Sequence, residues 1–157
     1  MKDYCYKRLV KRKMSVAFIE SIESASAGYL AYCFSQSQYS SEILYGSLVC
    51  YDLRVKESVL KIDKKIIDEY TAESMQVTEQ MVIQGKSIFK ADVLIACTGL
   101  LKKGGSETKE KPVGTFFYSI SYLDHIHNFQ IHVKCLKKQK LKSLHISICK
   151  RFIQLIE

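Results

Sequence analysis

Two serines follow the first apolar run of the chain, at the point where a helix is expected to begin. Residues 16–19 are apolar and β-prone, and residues 23–34 open with small side chains and continue with bulky apolar ones. This change of composition predicts a strand, a turn and a helix. The first N–H groups of a helix suit a phosphate or a developing oxyanion, so Ser24 or Ser26 is a candidate nucleophile. The alternative is a serine that only caps the helix.

A lysine follows the second β-rich run, which covers residues 43–51. Lys56 comes five residues after Tyr51, shortly beyond the predicted strand end. Burial lowers the pKa of a lysine amine and can make it a general base, and serine–lysine pairs are a known variant of the serine hydrolase triad. The alternative is a solvated surface lysine.

A polar segment rich in glycine follows the third β-rich run. Residues 98–111 include Thr98, Gly99, Gly104 and Gly105. Hydroxyl groups and glycines of this kind can wrap a phosphate or a carboxylate. The alternative is an ordinary surface loop.

Two histidines farther along the chain have the spacing of metal ligands. His125 and His127 share one side of a predicted strand, and Asp124 is adjacent. No strong third ligand accompanies them, and none of the six cysteines forms a Cys-x-x-Cys pair. We therefore expect a solvated strand end, buried free thiols, and no metal or other cofactor.

The elements that must position these residues alternate between strand and helix. Helices are predicted over residues 3–13, 54–60, 64–70, 75–89 and 138–156, and strands over residues 16–19, 43–51, 91–98, 113–122 and 129–133. The alternation predicts an α/β fold, a three-layer α/β/α sandwich whose two adjacent late strands make the sheet mixed but mostly parallel. Open sheets of this kind bind ligands at the carboxyl ends of their strands, where the three segments above lie.

Size and charge limit the class of protein. A chain of 157 residues with 47% hydrophobic residues fits one domain, residues 1–157. The net charge of +8 is concentrated at residues 7–13 and 134–151, but no RNP, KH or zinc-finger pattern accompanies it. We expect no nucleic-acid partner. No apolar run approaches the roughly 20 residues that cross a bilayer, and the first residues lack a signal-peptide core, so we expect a cytoplasmic protein without a membrane partner.

Three motifs in order resemble those of the CinA C-terminal domain family, the competence/damage-inducible proteins that include nicotinamide-nucleotide amidases. The family's first motif, E-S-C-T-G-G, corresponds to residues 23–28 (ESASAG), and its tyrosine and lysine correspond to Tyr51 and Lys56. Its third motif, T-G-I-A-G-P-x-G-G followed by E-K-P-V-G-T, corresponds to residues 98–106 and 110–115. The resemblance covers roughly residues 14–157 in matching order.

The resemblance implies a fold like that of anticodon-binding domains, and hydrolysis of the carboxamide of nicotinamide mononucleotide without a metal. It implies that Ser24 is the nucleophile, that Lys56 activates it, and that Tyr51 positions the pair. The residues expected to bind the nucleotide substrate are Ser26, Gly28, Thr98, Gly99, Gly104, Gly105 and Lys111. Family members often form homo-oligomers, which we expect here too.

Several positions depart from the family motifs and leave two alternatives open. Ala27 stands where the family has its first glycine, Lys103 stands where it has proline, and the late arginines are missing. These changes favour a second hypothesis, a nucleotide-binding module that no longer supports turnover. The repeated triplet Ile-Glu-Ser at residues 19–24 also makes Ser21 an alternative to Ser24, although Ser24 keeps the family spacing.

Overall fold

A computed structural model describes residues 1–22 and 28–157. In chain order its elements are α1 (Lys2–Lys11), β1 (Val16–Ile22), α2 (Tyr29–Ser35), α3 (Ser40–Ile43), β2 (Leu44–Val49), α4 (Leu53–Ser58), α5 (Lys64–Tyr70), α6 (Met75–Gly85), β3 (Val93–Gly99), β4 (Thr115–Tyr122), β5 (His125–His132) and α7 (Lys137–Ile156).

The strands form one sheet in the order β2-β1-β3-β4-β5. β1 pairs in parallel with both β2 and β3, whereas β4 is antiparallel to β3 and to β5. Four of the five strands therefore run in the same direction, and β4 alone runs against them. This arrangement confirms the predicted mixed, mostly parallel sheet.

Helices cover both faces of the sheet, which confirms the three-layer α/β/α sandwich. One apolar cluster joins α1, α2 and α7 to residues such as Phe18 of β1 and Tyr118 of β4. A second cluster joins α5 and α6 to Ile19 of β1 and Ala96 of β3. Successive strand residues face opposite sides, so a central strand covered on both faces is apolar throughout. Every residue of β3 is accordingly buried.

Three helices beneath the second face begin at polar residues that cap them. The Asp52 side chain caps α4 by accepting a hydrogen bond from the N–H of Arg54. The side chains of Asp63 and Ser74 accept similar bonds from backbone N–H groups at the starts of α5 and α6. Such caps satisfy N–H groups that have no partner within the helix. The caps therefore determine where α4, α5 and α6 start, and with them the position of every side chain in their first turns.

Most predicted elements differ from those observed by a few residues at their ends, and two differ by four residues at one end. The helix predicted to reach residue 89 ends at Gly85, and the last strand begins at His125 instead of residue 129. β5 is an edge strand whose residues are exposed or half-buried. Its first residues are mostly polar, so the sequence contains little apolar signal for the start of the strand. Among residues 1–22 and 28–157, no helix combines the length and apolarity needed to cross a bilayer.

The polar segment between β3 and β4 is a loop closed at its base. The N–H of Gly114 donates to the carbonyl oxygen of Leu100 at 2.7 Å, and the N–H of Leu100 donates to that of Thr115 at 3.0 Å. The carbonyl oxygen of Gly114 also accepts from the N–H of Val133 at 2.9 Å. These bonds join the two ends of the loop to each other and to the chain beyond β5, so the residues between them have a defined position over the sheet edge.

Candidate active site

A cavity of about 370 Å³ opens at the carboxyl ends of β1 and β2. Ser21 lies near the end of β1, Tyr51 and Lys56 follow β2, and the other wall comes from the α5–α6 connection and from the loop after β3. The lining residues are Ser21, Tyr51, Leu53, Lys56, Ile67, Asp68, Thr71, Ala72, Glu73 and Ser106. The volume falls in the range of small-molecule sites, and the position is the one at which open α/β sheets bind ligands.

Lys56 is buried in this cavity, with 2% of its surface exposed. It lies in α4, whose start is determined by the Asp52 cap. Its charge lowers the pKa of the nearby Cys50 thiol, although burial raises that pKa more and brings it to about 11. Lysine is seldom buried to this degree unless it is paired or functional. The solvated surface lysine is therefore the wrong interpretation of Lys56.

Ser21 is the motif serine whose position the structure describes. It is 5% exposed, pairs in register with Thr98 across β1 and β3, and lines the same cavity as Lys56. Ser24 and Ser26, the serines predicted from the motif spacing, lie outside the described residues. The cavity thus brings together Lys56 and the alternative serine, and the assignment to Ser24 stays a prediction.

Tyr51 lines the cavity from its mouth, since 61% of its surface is exposed. It follows β2 directly and precedes the Asp52 cap. The structure therefore places the predicted pair of Tyr51 and Lys56 on the same cavity, one at its edge and the other buried.

The N-terminus of α2 already binds an anionic side chain. The N–H groups of Leu30 and Ala31 donate to the carboxyl oxygens of Glu20 at 2.9 and 3.0 Å. Glu20 is fully buried, and burial raises the pKa of its carboxyl even though these two bonds lower it. The expectation that unpaired N–H groups at this helix start would hold a phosphate or an oxyanion is therefore wrong for these two amides. Sequence analysis missed Glu20, whose only signal was the repeated Ile-Glu-Ser triplet.

Thr98 and Gly99 contribute to packing next to the cavity. The Thr98 hydroxyl lies 2.8 Å from that of Thr78 in α6 and is fully buried. A Cβ at Gly99 would lie 2.2 Å from the Phe116 ring, so the glycine lets that ring approach β3. Because both faces of β3 are covered, neither residue is among those that line the cavity, and Gly28, the N-cap of α2, is not among them either.

The loop after β3 contacts the cavity through Ser106 and not through Gly104 or Gly105. Lys111, predicted to bind substrate, donates hydrogen bonds to atoms of three residues that line the cavity. Its Nζ lies 2.7 Å from Thr71 Oγ1, 2.9 Å from the carbonyl oxygen of Glu73 and 3.1 Å from Ser106 Oγ. Burial lowers the pKa of this amine, and the charge of Glu73 acts in the opposite direction. The amine thus joins the loop to the α5–α6 connection.

Two further features of this wall were not evident from the sequence. Ser106 Oγ donates to Glu73 Oε2 at 2.5 Å. Thr71 has φ +69° and ψ 160°, a backbone conformation that a β-branched residue rarely adopts. Strained backbone of this kind persists only where surrounding contacts hold it, and it is often found at functional sites.

A metal site is not part of this arrangement. Within the part of the chain that the structure describes, no group of three or more histidine, cysteine or acidic side chains is placed to hold a metal ion. The rings of His125 and His127 lie 6.4 Å apart on the edge strand β5.

Comparisons with known proteins agree on one family. The family model described as CinA C-terminal domain matches residues 1–151. The chain belongs to the CinA C-terminal domain family. A CinA-like protein of Prochlorococcus marinus (strain MIT 9515) is 31% identical over 152 residues, which are 96% of this chain and 34% of the relative. A CinA-like protein of Mycobacterium avium (strain 104) is 35% identical over 112 residues, which are 71% of this chain and 26% of the relative.

Solved CinA structures have the same fold. A CinA superfamily protein from Enterobacter cloacae superposes with a TM-score of 0.87 at 17% identity, covering 99% of this chain and 90% of that one. The competence damage-inducible protein A of Klebsiella pneumoniae gives a TM-score of 0.86 at 16% identity, with coverage of 96% and 91%. The chain spans about a third of the length of the curated CinA-like relatives that it matches.

Proposed function

We propose that this CinA-family chain hydrolyses the carboxamide of nicotinamide mononucleotide or a related pyridine nucleotide, and that the products are the carboxylic acid and ammonia. The observation that carries the proposal is the burial of Lys56 in a cavity that also contains a strand-end serine. An amide is a poor electrophile, so its hydrolysis at neutral pH needs an activated oxygen nucleophile. A buried lysine amine in the same cavity as a serine hydroxyl is a suitable activator, because serine–lysine pairs are a known variant of the serine hydrolase triad.

The mechanism that we propose has two stages. In the first, the serine Oγ forms a bond to the carboxamide carbon while its proton passes to the amine of Lys56. The amine then gives that proton to the departing nitrogen, and ammonia leaves an acyl ester on the serine. In the second stage water attacks the ester with Lys56 again as the base, which releases the acid and restores the serine. No metal takes part in either stage.

Ser21 and Ser24 are the two leading candidates for the nucleophile, and Ser26 takes the role if both substitutions leave turnover intact. The family spacing favours Ser24, whereas Ser21 is supported by its place among the described residues that line the same cavity as Lys56. Ammonia release from nicotinamide mononucleotide by the variants Ser21→Ala and Ser24→Ala distinguishes them. We expect one of the two substitutions to abolish turnover and the other to leave most of it.

The matched controls use residues outside the cavity. Ser58→Ala removes an exposed hydroxyl of α4 that bonds only the carbonyl oxygen of Arg54, and Lys65→Met removes an exposed amine of α5. Lys56→Met should abolish ammonia release, whereas Lys65→Met should not. Full activity in Lys56→Met with an unchanged melting temperature would refute the serine–lysine mechanism.

A second function has one observation in its favour. The N–H groups of Leu30 and Ala31 at the start of α2 are occupied by the Glu20 carboxyl, which removes two hydrogen-bond donors for an oxyanion. A cavity that binds a nucleotide without turning it over would agree with this arrangement. In that case nicotinamide mononucleotide raises the melting temperature of the protein but yields no ammonia.

A further inference from the structure

The wall of the cavity opposite Lys56 presents a carboxylate that the protein holds by one oxygen only. Glu73 lies in the connection between α5 and α6, is half-buried, and lines the cavity. Its Oε2 accepts a hydrogen bond from Ser106 at 2.5 Å. Among the described residues, Oε1 has no hydrogen-bond donor of its own. The side chain is therefore oriented by the protein and still has acceptor capacity for a ligand.

Lys111 holds both residues of this wall in place. Its amine bonds the Ser106 hydroxyl that orients Glu73, and it also bonds the backbone carbonyl oxygen of Glu73. A third bond reaches Thr71 Oγ1, on a residue whose positive φ needs such support. These contacts join residues 38 and 40 positions apart in the chain. Without the amine, the loop and the α5–α6 connection lose their main polar link, and the carboxylate loses its fixed direction.

A carboxylate with this geometry is suited to hydroxyl groups. Ionised carboxyl oxygens only accept hydrogen bonds, and acidic side chains commonly bind the hydroxyl groups of ribose in nucleotide sites. The other acidic side chain of the lining, Asp68, is already paired with the Lys64 amine at 2.8 Å, so Glu73 is the lining carboxylate with an oxygen available to a ligand. The chemical group that fits next to Glu73 is therefore a sugar diol.

We propose that Glu73 determines specificity by binding the sugar hydroxyl groups of a ribosylated amide, and that Lys111 is the positioning residue that holds Glu73 toward the cavity. This inference rests on the proposed amidase function. It separates recognition of the sugar, at Glu73, from chemistry at Lys56.

The test compares three amides that differ in what they carry: nicotinamide, its riboside and its mononucleotide. In Glu73→Gln we expect KM for both ribosylated amides to rise by about tenfold or more, the usual effect of losing one hydrogen bond to a charged group. The kcat should stay within about twofold, since an interaction made equally in ground and transition states changes only KM. The low rate of ammonia release from nicotinamide, which carries no sugar, should not change.

Controls separate recognition from folding. Glu110→Gln makes the same chemical change at an exposed position of the loop and should leave every constant unchanged. Lys111→Met should reproduce the rise in KM for the ribosylated amides, and Lys111→Arg should restore part of the affinity because it keeps a cationic donor. A melting temperature measured for each variant shows whether the fold is intact.

The outcomes distinguish this inference from the proposed function. If the protein releases ammonia from the mononucleotide and Glu73→Gln leaves its KM unchanged, the role of Glu73 is refuted and the amidase proposal stands. If no amide is hydrolysed, the riboside should still raise the melting temperature of the wild type and not that of Glu73→Gln. Equal thermal shifts in both proteins, or none in either, would overturn the inference.

Discussion

Two glycines of the loop after β3 have nearly the same positive φ but different surroundings. Gly104 has φ +96° and Gly114 has φ +99°. A Cβ at Gly104 would meet no atom within 4 Å, whereas a Cβ at Gly114 would lie 2.3 Å from the carbonyl oxygen of Val133. Substitution by alanine at both sites therefore imposes the same conformational cost and adds a backbone collision at Gly114 alone. The pair isolates the effect of that collision.

The structure allows the size of the effect to be worked out. A positive φ costs an L-residue about 1–2 kcal/mol, and this cost applies to both variants. The collision adds about 1–3 kcal/mol for overpacking. To relieve it the backbone must move by roughly 1 Å, since nonpolar contacts are about 3.5 Å. That movement weakens the hydrogen bonds from Gly114 to Leu100 and from Val133 to Gly114, at about 1 kcal/mol each. Gly114→Ala should thus be about 3–5 kcal/mol less stable than Gly104→Ala.

Urea unfolding followed by circular dichroism measures this difference. For a chain of 157 residues, 1 kcal/mol shifts Tm by about 2–4 °C, so the two variants should differ by about 10 °C. Gly114→Ala should also weaken substrate binding, because Gly114 lies at the base of the loop that carries Ser106 and Lys111. Equal stability of the two variants would show that the loop base moves freely, and the reasoning about a loop closed by these bonds would fail.

Three further predictions follow from buried polar groups. Burial lowers the pKa of His145 to about 4. Between about pH 6.5 and pH 4 this imidazole is therefore protonated in the unfolded chain and neutral in the folded one. The unfolding free energy should fall by about 2 kcal/mol from pH 7 to pH 5, and His145→Gln should remove that part of the acid sensitivity. Glu20→Ala should leave the first amides of α2 unsatisfied, costing about 1–3 kcal/mol and accelerating their hydrogen exchange. Thr98→Val should cost about 1 kcal/mol in urea unfolding through the lost bond to Thr78 and should not change KM, since its hydroxyl does not reach the cavity.

The sequence determined the fold because the signals for it are local. The apolar run of β3, the caps at Asp52, Asp63 and Ser74, and the alternation of strands with helices all depend on neighbours a few residues away. The same signals placed Tyr51 and Lys56 after a strand end, and the resemblance of the motifs to those of the CinA family was confirmed by the family model. The start of the edge strand β5 was predicted wrongly, because its exposed side chains show little of the apolar alternation by which strands are recognised.

Only the tertiary structure decided which side chains meet. The Glu20 carboxyl accepts hydrogen bonds from the α2 amides, the Thr98 hydroxyl bonds that of Thr78, and Lys111 bonds residues 38 and 40 positions away. The physical reason is that a buried polar group must find its partner wherever the chain returns in space, and composition and periodicity contain no information about that distance. The burial of Lys56 in the cavity that Ser21 also lines has the same origin, because the two residues come from different elements, α4 and β1.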